Sequence, residues 1–254
     1  MLFLVGVGLD CKDLSLKAVE ACKRCELFFD RYTCVVSERQ LALVRRLSGR
    51  KPRELGRQEL EEGAKEIVAR AKSADVAVLV GGDPLIATTH KILFIEARRQ
   101  HVKVGVVHSA SVVSAAIGES GLDFYRFGRV ATIPRWSEHY RPVSFYEAVR
   151  DNMKSNLHSL MMLDYKKEEA TSLSVKEAVE TLERAEESYR SGIISNGTKI
   201  VILNRVSSSR ARSVFTSVGS AKRLKLDGPS VIIIPAALSD IERESVACMC
   251  RSVK

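Results

Sequence analysis

A continuous apolar run at Val76–Val80 constrains the fold of this chain more than any other feature. A strand that faces water on one side alternates polar and apolar residues, whereas a central parallel strand is covered on both faces and reads as unbroken Val, Ile and Leu. The run leads into residues 81–84 (GGDP), which predict a sharp turn at the end of a strand. We therefore expect a parallel sheet with this strand near its centre.

Amphipathic helical patterns alternate with further apolar runs through the first half of the chain. Runs at residues 2–5, 26–30 and 102–107 predict strands, and the intervening segments carry apolar residues at helical spacing. Such alternation implies parallel strands joined by right-handed crossovers. In the second half the predicted strands at 129–134, 159–163, 199–204, 214–218 and 231–234 are less regularly separated by helices, which favours antiparallel pairing.

The chain is thus predicted to be an α/β protein with two α/β domains. Residues 1–115 should form a mostly parallel sheet with flanking helices, and residues 116–254 a domain with a mixed sheet. Helix starts are predicted from serines followed three residues later by Gln or Glu, the capping-box pattern. Four such pairs occur: Ser37/Gln40, Ser144/Glu147, Ser174/Glu177 and Ser239/Glu242.

Composition and cysteine usage favour a cytoplasmic globular protein. No apolar run reaches membrane-spanning length, and the apolar start of the chain lacks a basic segment and ends at Asp10, so we expect a buried first strand rather than a signal peptide. The 6 cysteines are scattered along the sequence, a distribution typical of the reduced thiols of a cytosolic protein. Cys22 and Cys25 form a C-x-x-C pair without a second pair at zinc-finger spacing, and a redox role for them is the less favoured alternative.

The net charge of +9 raises the question of a nucleic-acid partner. The excess of Lys and Arg is spread over both halves of the sequence rather than gathered in one arm. This distribution favours an enzyme that approaches an acidic macromolecule over a dedicated nucleic-acid binder. Only 6% of the residues are aromatic, too few for a visible base-stacking platform.

Three segments at predicted strand ends are candidate ligand loops, since ligands of open α/β sheets bind outside the carboxyl ends of the strands. Gly6-Val7-Gly8 is a weak match to a phosphate loop, because the third glycine is missing. Asp83 either caps a helix beginning at Pro84, or presents a carboxylate to a ligand. If a helix begins at Pro84, its first one or two turns carry Thr88, Thr89 and His90.

The third segment, residues 108–111 (HSAS), has small residues that permit close approach of a ligand or of another helix. No serine–histidine–aspartate order, HExxH motif or pair of catalytic carboxylates stands out. This pattern fits a reaction that needs mainly proximity and orientation, such as in-line methyl transfer from a sulfonium.

Five stretches identify a resemblance that spans essentially the whole chain. They are FLVGVGL (3–9), GDPLIATTH (82–90), HSASVVSA (108–115), SGLDFYRFGRVATIP (120–134) and SFYEAVRDNMKSNLHSLMMLD (144–164). The chain resembles the diphthine synthases, a branch of the tetrapyrrole-methylase-like class of S-adenosylmethionine methyltransferases. The GDP turn is shared by the class, whereas GDPL followed by ATTH, HSAS and Phe-Gly-Arg is specific to this branch.

The resemblance implies an S-adenosylmethionine-dependent N-methyltransferase, usually a homodimer, with its cofactor in a cleft between the two domains. The implied acceptor is the amino group of the 3-amino-3-carboxypropyl adduct on one histidine of translation elongation factor 2. It implies neither a metal nor a particular catalytic residue. The cofactor contacts carried over are Leu9, Asp83, Ile86, Ser111, Val112, Leu163, Val206 and Ser230.

This sequence departs from the family pattern near two of these positions. Residues 204–208 (NRVSS) stand where the family has Ala-Arg-Ala-Gly-Ser, and Ser230 stands where it has histidine. Arg126 and Arg129, in the branch-specific segment, are our candidates for contacting the carboxylate of the acceptor. Two alternatives remain open: a related methylase acting on a precorrin or other tetrapyrrole, and a basic RNA-binding module without catalysis.

Overall fold

A computed structural model describes residues 1–31, 36–56, 59–60, 63–137, 139–166 and 171–253, without the side chains of 166 and 171. Cys34 therefore lies outside the described residues. The chain divides into two compact units, Met1–Val112 and Val113–Lys254. In the described part, no helix is long and apolar enough to cross a bilayer.

The first unit contains the predicted parallel sheet. Its strands are β1 (Leu2–Gly6), β2 (Glu26–Asp30), β3 (Arg53–Leu55), β4 (Val76–Val80) and β5 (Val104–Val107). They are ordered β3-β2-β4-β1-β5, and every pair is parallel. β4 lies at the centre, and all five of its residues are fully buried between apolar clusters on the two faces of the sheet.

The described part of this unit also contains α-helices. They are α1 (Leu16–Arg24), α2 (Glu38–Ser48), α3 (Ala64–Ser73) and α4 (Lys91–Arg99). The predicted capping box of Ser37 and Gln40 is present at the start of α2. The helix predicted to begin at Pro84 is wrong, because α4 begins only at Lys91. Ala87 adopts a left-handed φ of 55°, which a right-handed helix cannot contain.

The second unit is built on the predicted mixed sheet. Its strands are β6 (Ala131–Ile133), β7 (Ser159–Leu163), β8 (Tyr165–Lys166), β9 (Thr171–Ser172), β10 (Lys199–Asn204), β11 (Arg212–Ser217), β12 (Ser230–Ile234) and β13 (Arg251–Ser252). Six of them are ordered β13-β11-β10-β12-β7-β6, while β8 and β9 pair separately. The sequence β11-β10-β12-β7 is antiparallel, and the outer strands β6 and β13 pair parallel to their neighbours.

Among residues 112–137, 139–166 and 171–253 the α-helices are α5 (Val112–Glu119), α6 (Ser144–Lys154), α7 (Val175–Tyr189), α8 (Val218–Ala221) and α9 (Asp240–Met249). The capping boxes predicted before α7 and α9 are confirmed. The one predicted at Ser144 is wrong, because Val143 is the N-cap of α6 and its carbonyl accepts from Glu147 N at 3.0 Å. Ser144 is therefore already inside the first turn of the helix.

Candidate cofactor site

Three loops meet at the carboxyl edge of the parallel sheet, because β4, β1 and β5 are neighbours that run in the same direction. The β1 and β4 loops are joined directly: Gly82 N donates to Gly8 O at 2.9 Å, and Gly8 N donates to Gly82 O at 3.3 Å. Both glycines have left-handed φ values, 74° and 71°. A Cβ on Gly6 would lie 2.6 Å from Gly82 O, so only glycine permits this approach.

Asp83 connects the β4 loop to the β5 loop. Its Oδ1 accepts from Leu85 N at 3.0 Å, and its Oδ2 accepts from His108 Nδ1 at 2.7 Å and from Ser109 N at 3.3 Å. Asp83 is 6% exposed, whereas the His108 side chain is 69% exposed. The carboxylate therefore holds two strand ends together and orients a histidine toward solvent, a role that neither sequence interpretation contained.

The other predicted contacts of the first unit lie on the same loops. Leu9 follows Gly8, and its N donates to Asp13 Oδ2 at 3.0 Å. Ser111 is buried just before Val112, the first residue of α5. Ile86 lies in the β4 loop with 45% of its surface exposed, much for a large apolar residue.

Gly82 borders the space between the three loops. A Cβ built on this residue would lie 3.7 Å from Ala110 O and 3.8 Å from Leu9 Cδ2, so a side chain there would occupy room between the three loops. Apolar side chains and a serine hydroxyl are among the groups that line sites for nucleoside-like ligands. These residues therefore suit an adenosine-containing cofactor.

The three predicted contacts of the second unit also share one edge of their sheet. Leu163 ends β7, Ser230 begins β12, and Val206 lies two residues after the end of β10. These strands are neighbours, and antiparallel pairing brings the end of β7 and the end of β10 beside the start of β12. The buried Asn204 secures this edge: its Nδ2 donates to Ser230 Oγ at 3.0 Å and to Asp227 O at 2.9 Å.

His90 does not lie on the helical turns that the sequence predicts for it. It lies at the N-cap of α4 rather than within a helical turn, and its side chain is completely buried. Its Nε2 is 3.3 Å from Oδ2 of Asp30, which ends β2 and is also completely buried. His90 thus faces the interior of the first unit.

Arg126 is also reassigned by the structure. Its guanidinium pairs with Glu242 and donates to Ala237 O at 2.8 Å, so it is committed within the second unit. Arg129 is exposed, and its side chain forms no ion pair with a described residue. Of the two arginines, Arg129 alone remains a candidate for contacting an acceptor.

Glu242 is the centre of a buried network that the sequence pattern did not reveal. Besides Arg126, it accepts from His158 Nε2 at 2.7 Å and from Asp123 N at 3.2 Å. Burial alone would raise the pKa of Glu242, but the hydrogen bonds from Ser239, His158 and Asp123 outweigh it and lower this pKa to about 2. The capping-box pattern identified Glu242 only as a local helix cap.

The C-x-x-C pair is buried rather than reactive. Burial, followed by the nearby Cys25, raises the pKa of Cys22 to about 12, and burial also raises the pKa of Cys25. Both thiols are free. A thiol that stays protonated at neutral pH is a poor nucleophile, so the redox alternative is not supported.

Comparison with known proteins agrees with this architecture. Residues 1–221 match the family of tetrapyrrole (corrin/porphyrin) methylases. The chain is 36% identical to the diphthine synthase of Methanothermobacter thermautotrophicus, over 96% of this chain and 93% of that protein. The diphthine synthase of Methanocaldococcus jannaschii is 30% identical over the full length of both chains.

Solved structures show the same relation. The crystal structure of a diphthine synthase superposes with a TM-score of 0.88 at 28% identity, covering 100% of this chain and 97% of that one. A conserved hypothetical protein of Aeropyrum pernix superposes with a TM-score of 0.89 at 31% identity, covering 98% and 89%. The fold and family define an S-adenosylmethionine-dependent methyltransferase. The chain belongs to the tetrapyrrole methylase family and, within it, to the diphthine synthases.

We expect Asp83→Asn to lower the free energy of unfolding by about 1–3 kcal/mol, more than the ~1 kcal/mol typical of a helix cap. Whichever way the amide is oriented, its NH2 group faces a backbone N–H, of Leu85 or of Ser109, that has lost its acceptor. Urea denaturation measures this loss. Asp75→Asn is the control, since Asp75 forms an exposed pair with the N-terminus and should contribute at most about 1 kcal/mol. Equal, small losses in both variants would contradict the proposed linkage.

Acid unfolding tests the Glu242 network. Because the pKa of folded Glu242 lies near 2, below its ordinary 4.5, its stabilisation is complete above about pH 4.5 and is lost as the pH falls toward 2. We expect Glu242→Gln to flatten the pH dependence of the unfolding free energy in this window by up to ~1.4 kcal/mol per pH unit. Glu244→Gln, an exposed change on the same helix, should keep the parental slope. An unchanged slope in Glu242→Gln would refute the assignment.

Proposed function

We propose that this enzyme methylates the amino group of the 3-amino-3-carboxypropyl-histidine of translation elongation factor 2, giving diphthine. The observation that carries the proposal is the similarity to diphthine synthases along the whole chain, 36% over 96% of it in one case. The family description also names corrin and porphyrin methylases. The similarity to diphthine synthases, at 28–36% identity across six curated relatives, favours the protein acceptor over a tetrapyrrole.

S-adenosylmethionine would be held by the eight residues predicted from the resemblance. In the first unit these are Leu9, Asp83, Ile86, Ser111 and Val112, on three adjacent loops, and in the second unit Leu163, Val206 and Ser230, on one sheet edge. When bound, the cofactor supplies a methyl group on a positively charged sulfur. The chain's own contribution is to orient the acceptor amine and to keep it deprotonated, since an ammonium has no lone pair with which to attack.

We further propose that the enzyme is a cytoplasmic homodimer. The free thiols support a reducing compartment. On α4 the large apolar residues Ile92, Phe94 and Ile95 are 37%, 41% and 53% exposed, which supports a protein interface on this helix, because clustered exposed apolar residues mark such surfaces. Analytical ultracentrifugation of the protein and of an Ile95→Lys variant tests this assignment.

A methyl-transfer assay tests the proposed function. Purified protein should transfer the labelled methyl group of S-adenosylmethionine to elongation factor 2 that carries the adduct, and should bind the cofactor with a dissociation constant in roughly the micromolar range. Elongation factor 2 without the adduct should remain unlabelled. Methylation of a precorrin instead, or RNA binding without cofactor binding, would refute the proposal.

We expect encounter with the protein substrate to depend on salt, because the chain carries a net charge of +9. Between 0.05 and 0.5 M salt the Debye length falls from about 14 to about 4 Å, so the Michaelis constant for elongation factor 2 should rise severalfold. Cofactor affinity should barely change.

Arg129→Gln should raise the same Michaelis constant and leave cofactor affinity unchanged, because a carboxylate on the acceptor would lose a cationic partner. Arg39→Gln, an exposed arginine on α2, is the matched control. Insensitivity of turnover to both salt and Arg129→Gln would mean that the positive charge only solubilises the protein.

A further inference from the structure

We propose that His108 is the general base that removes the proton from the acceptor amine, with Asp83 orienting its imidazole. This inference rests on the proposed function, because it assigns a residue to the one chemical requirement that the resemblance leaves unassigned. It is carried by the hydrogen bond between the two side chains, by their contrasting exposure, and by their position among the candidate cofactor loops.

The hydrogen bond fixes the tautomer of His108. A carboxylate only accepts hydrogen bonds, so the 2.7 Å contact between Asp83 Oδ2 and His108 Nδ1 places the proton of a neutral imidazole on Nδ1. The lone pair is then on Nε2, for which the described residues provide no hydrogen-bond partner. A base held by a second group in this way is the arrangement that enzymes use to orient proton acceptors.

The orienting carboxylate is itself fixed. Asp83 has a side chain 7% exposed, and the backbone N–H groups of Leu85 and Ser109 hold its two oxygens. The base and its partner follow β5 and β4, the two strands that flank β1, so the parallel sheet sets their geometry. The imidazole itself is 69% exposed and so remains accessible to a large acceptor.

Asp13 and His90, which lie near the same edge, are less suited to accept a proton from a bound substrate. The carboxylate of Asp13 accepts from the backbone N–H groups of Leu9 and Asp10, while its backbone oxygen accepts from Ser109 Oγ at 3.2 Å. His90, in the β4 loop, is completely buried and cannot reach an acceptor. His108 thus combines an accessible nitrogen with a fixed orientation at the carboxyl edge.

The proton balance of the step is simple. The N–H bond of the acceptor ammonium breaks, its electron pair stays on the amine nitrogen, and the proton forms a new bond to Nε2 of His108. The resulting imidazolium is stabilised by the adjacent Asp83 carboxylate and releases its proton to water from its exposed side. The neutral amine then has the lone pair needed to attack the methyl carbon, and each further methylation would require the same step.

The tautomer can be measured without any substrate. In protein labelled with ¹⁵N-histidine, we expect the neutral His108 ring to show a protonated Nδ1 and an unprotonated Nε2, and this preference to weaken in Asp83→Asn. A proton on Nε2 in the parent protein would overturn the proposal, because Nε2 would then have no lone pair for the amine.

Turnover of His108→Asn tests the base directly. The asparagine Nδ2 can still donate to Asp83 but cannot take up a proton, so kcat at neutral pH should fall about 10²–10⁴-fold. Cofactor affinity should stay within about twofold of the parental value. The deficit should shrink as rising pH deprotonates the amine without help, and added imidazole should restore part of the rate.

His101→Asn is the matched control, because His101 is an exposed histidine just before the amino end of β5, away from the candidate site. It should keep the parental kcat. A kcat for His108→Asn within threefold of the parent, a deficit independent of pH and imidazole, or a large loss of cofactor affinity would each overturn the proposal. If the parent protein transfers no methyl group to elongation factor 2, the proposed function is wrong, and so is the assignment of His108 as its base.

Discussion

The pair of backbone hydrogen bonds between Gly8 and Gly82 is the constraint on which the candidate site depends. It joins the loops of two parallel strands so closely that a Cβ on Gly6 would lie 2.6 Å from Gly82 O. With the loops held this way, Asp83 is in position to accept from the β5 loop. The backbone contact between Gly8 and Gly82 thus determines where the Asp83 side chain can point, and this contact requires glycine rather than any particular side chain.

Strands and helix caps that follow a residue pattern could be predicted from the sequence. Features set by the backbone conformation of a single residue could not. Val76–Val80 predicts a central parallel strand because burial on both faces requires an unbroken apolar run. The serine–glutamate pairs before α7 and α9 predict the starts of these helices because both capping bonds join residues three apart in the sequence. The helix expected at Pro84 fails because one left-handed residue, Ala87, interrupts it, and no periodicity reports a single φ value.

The candidate site likewise contains residues whose positions could be predicted from the sequence and residues whose positions could not. Leu9, Asp83 and Ser111 fall on adjacent loops, as their positions after predicted strands suggest. By contrast, the sequence makes Arg126 a candidate for contacting the acceptor, but it is paired with Glu242, more than a hundred residues away along the chain. Contacts of that separation depend on how strands and helices pack, which a local pattern does not encode.

Asp83 also limits how this enzyme can evolve. One carboxylate braces two loops, orients a histidine and lies in the predicted cofactor set, so a substitution of Asp83 itself cannot change one of these properties alone. A descendant with a different residue at position 108 would no longer need an acceptor there but would still need one for Ser109 N. In related proteins we therefore expect substitutions of His108 that keep Asp83, but no substitutions of Asp83 that keep His108.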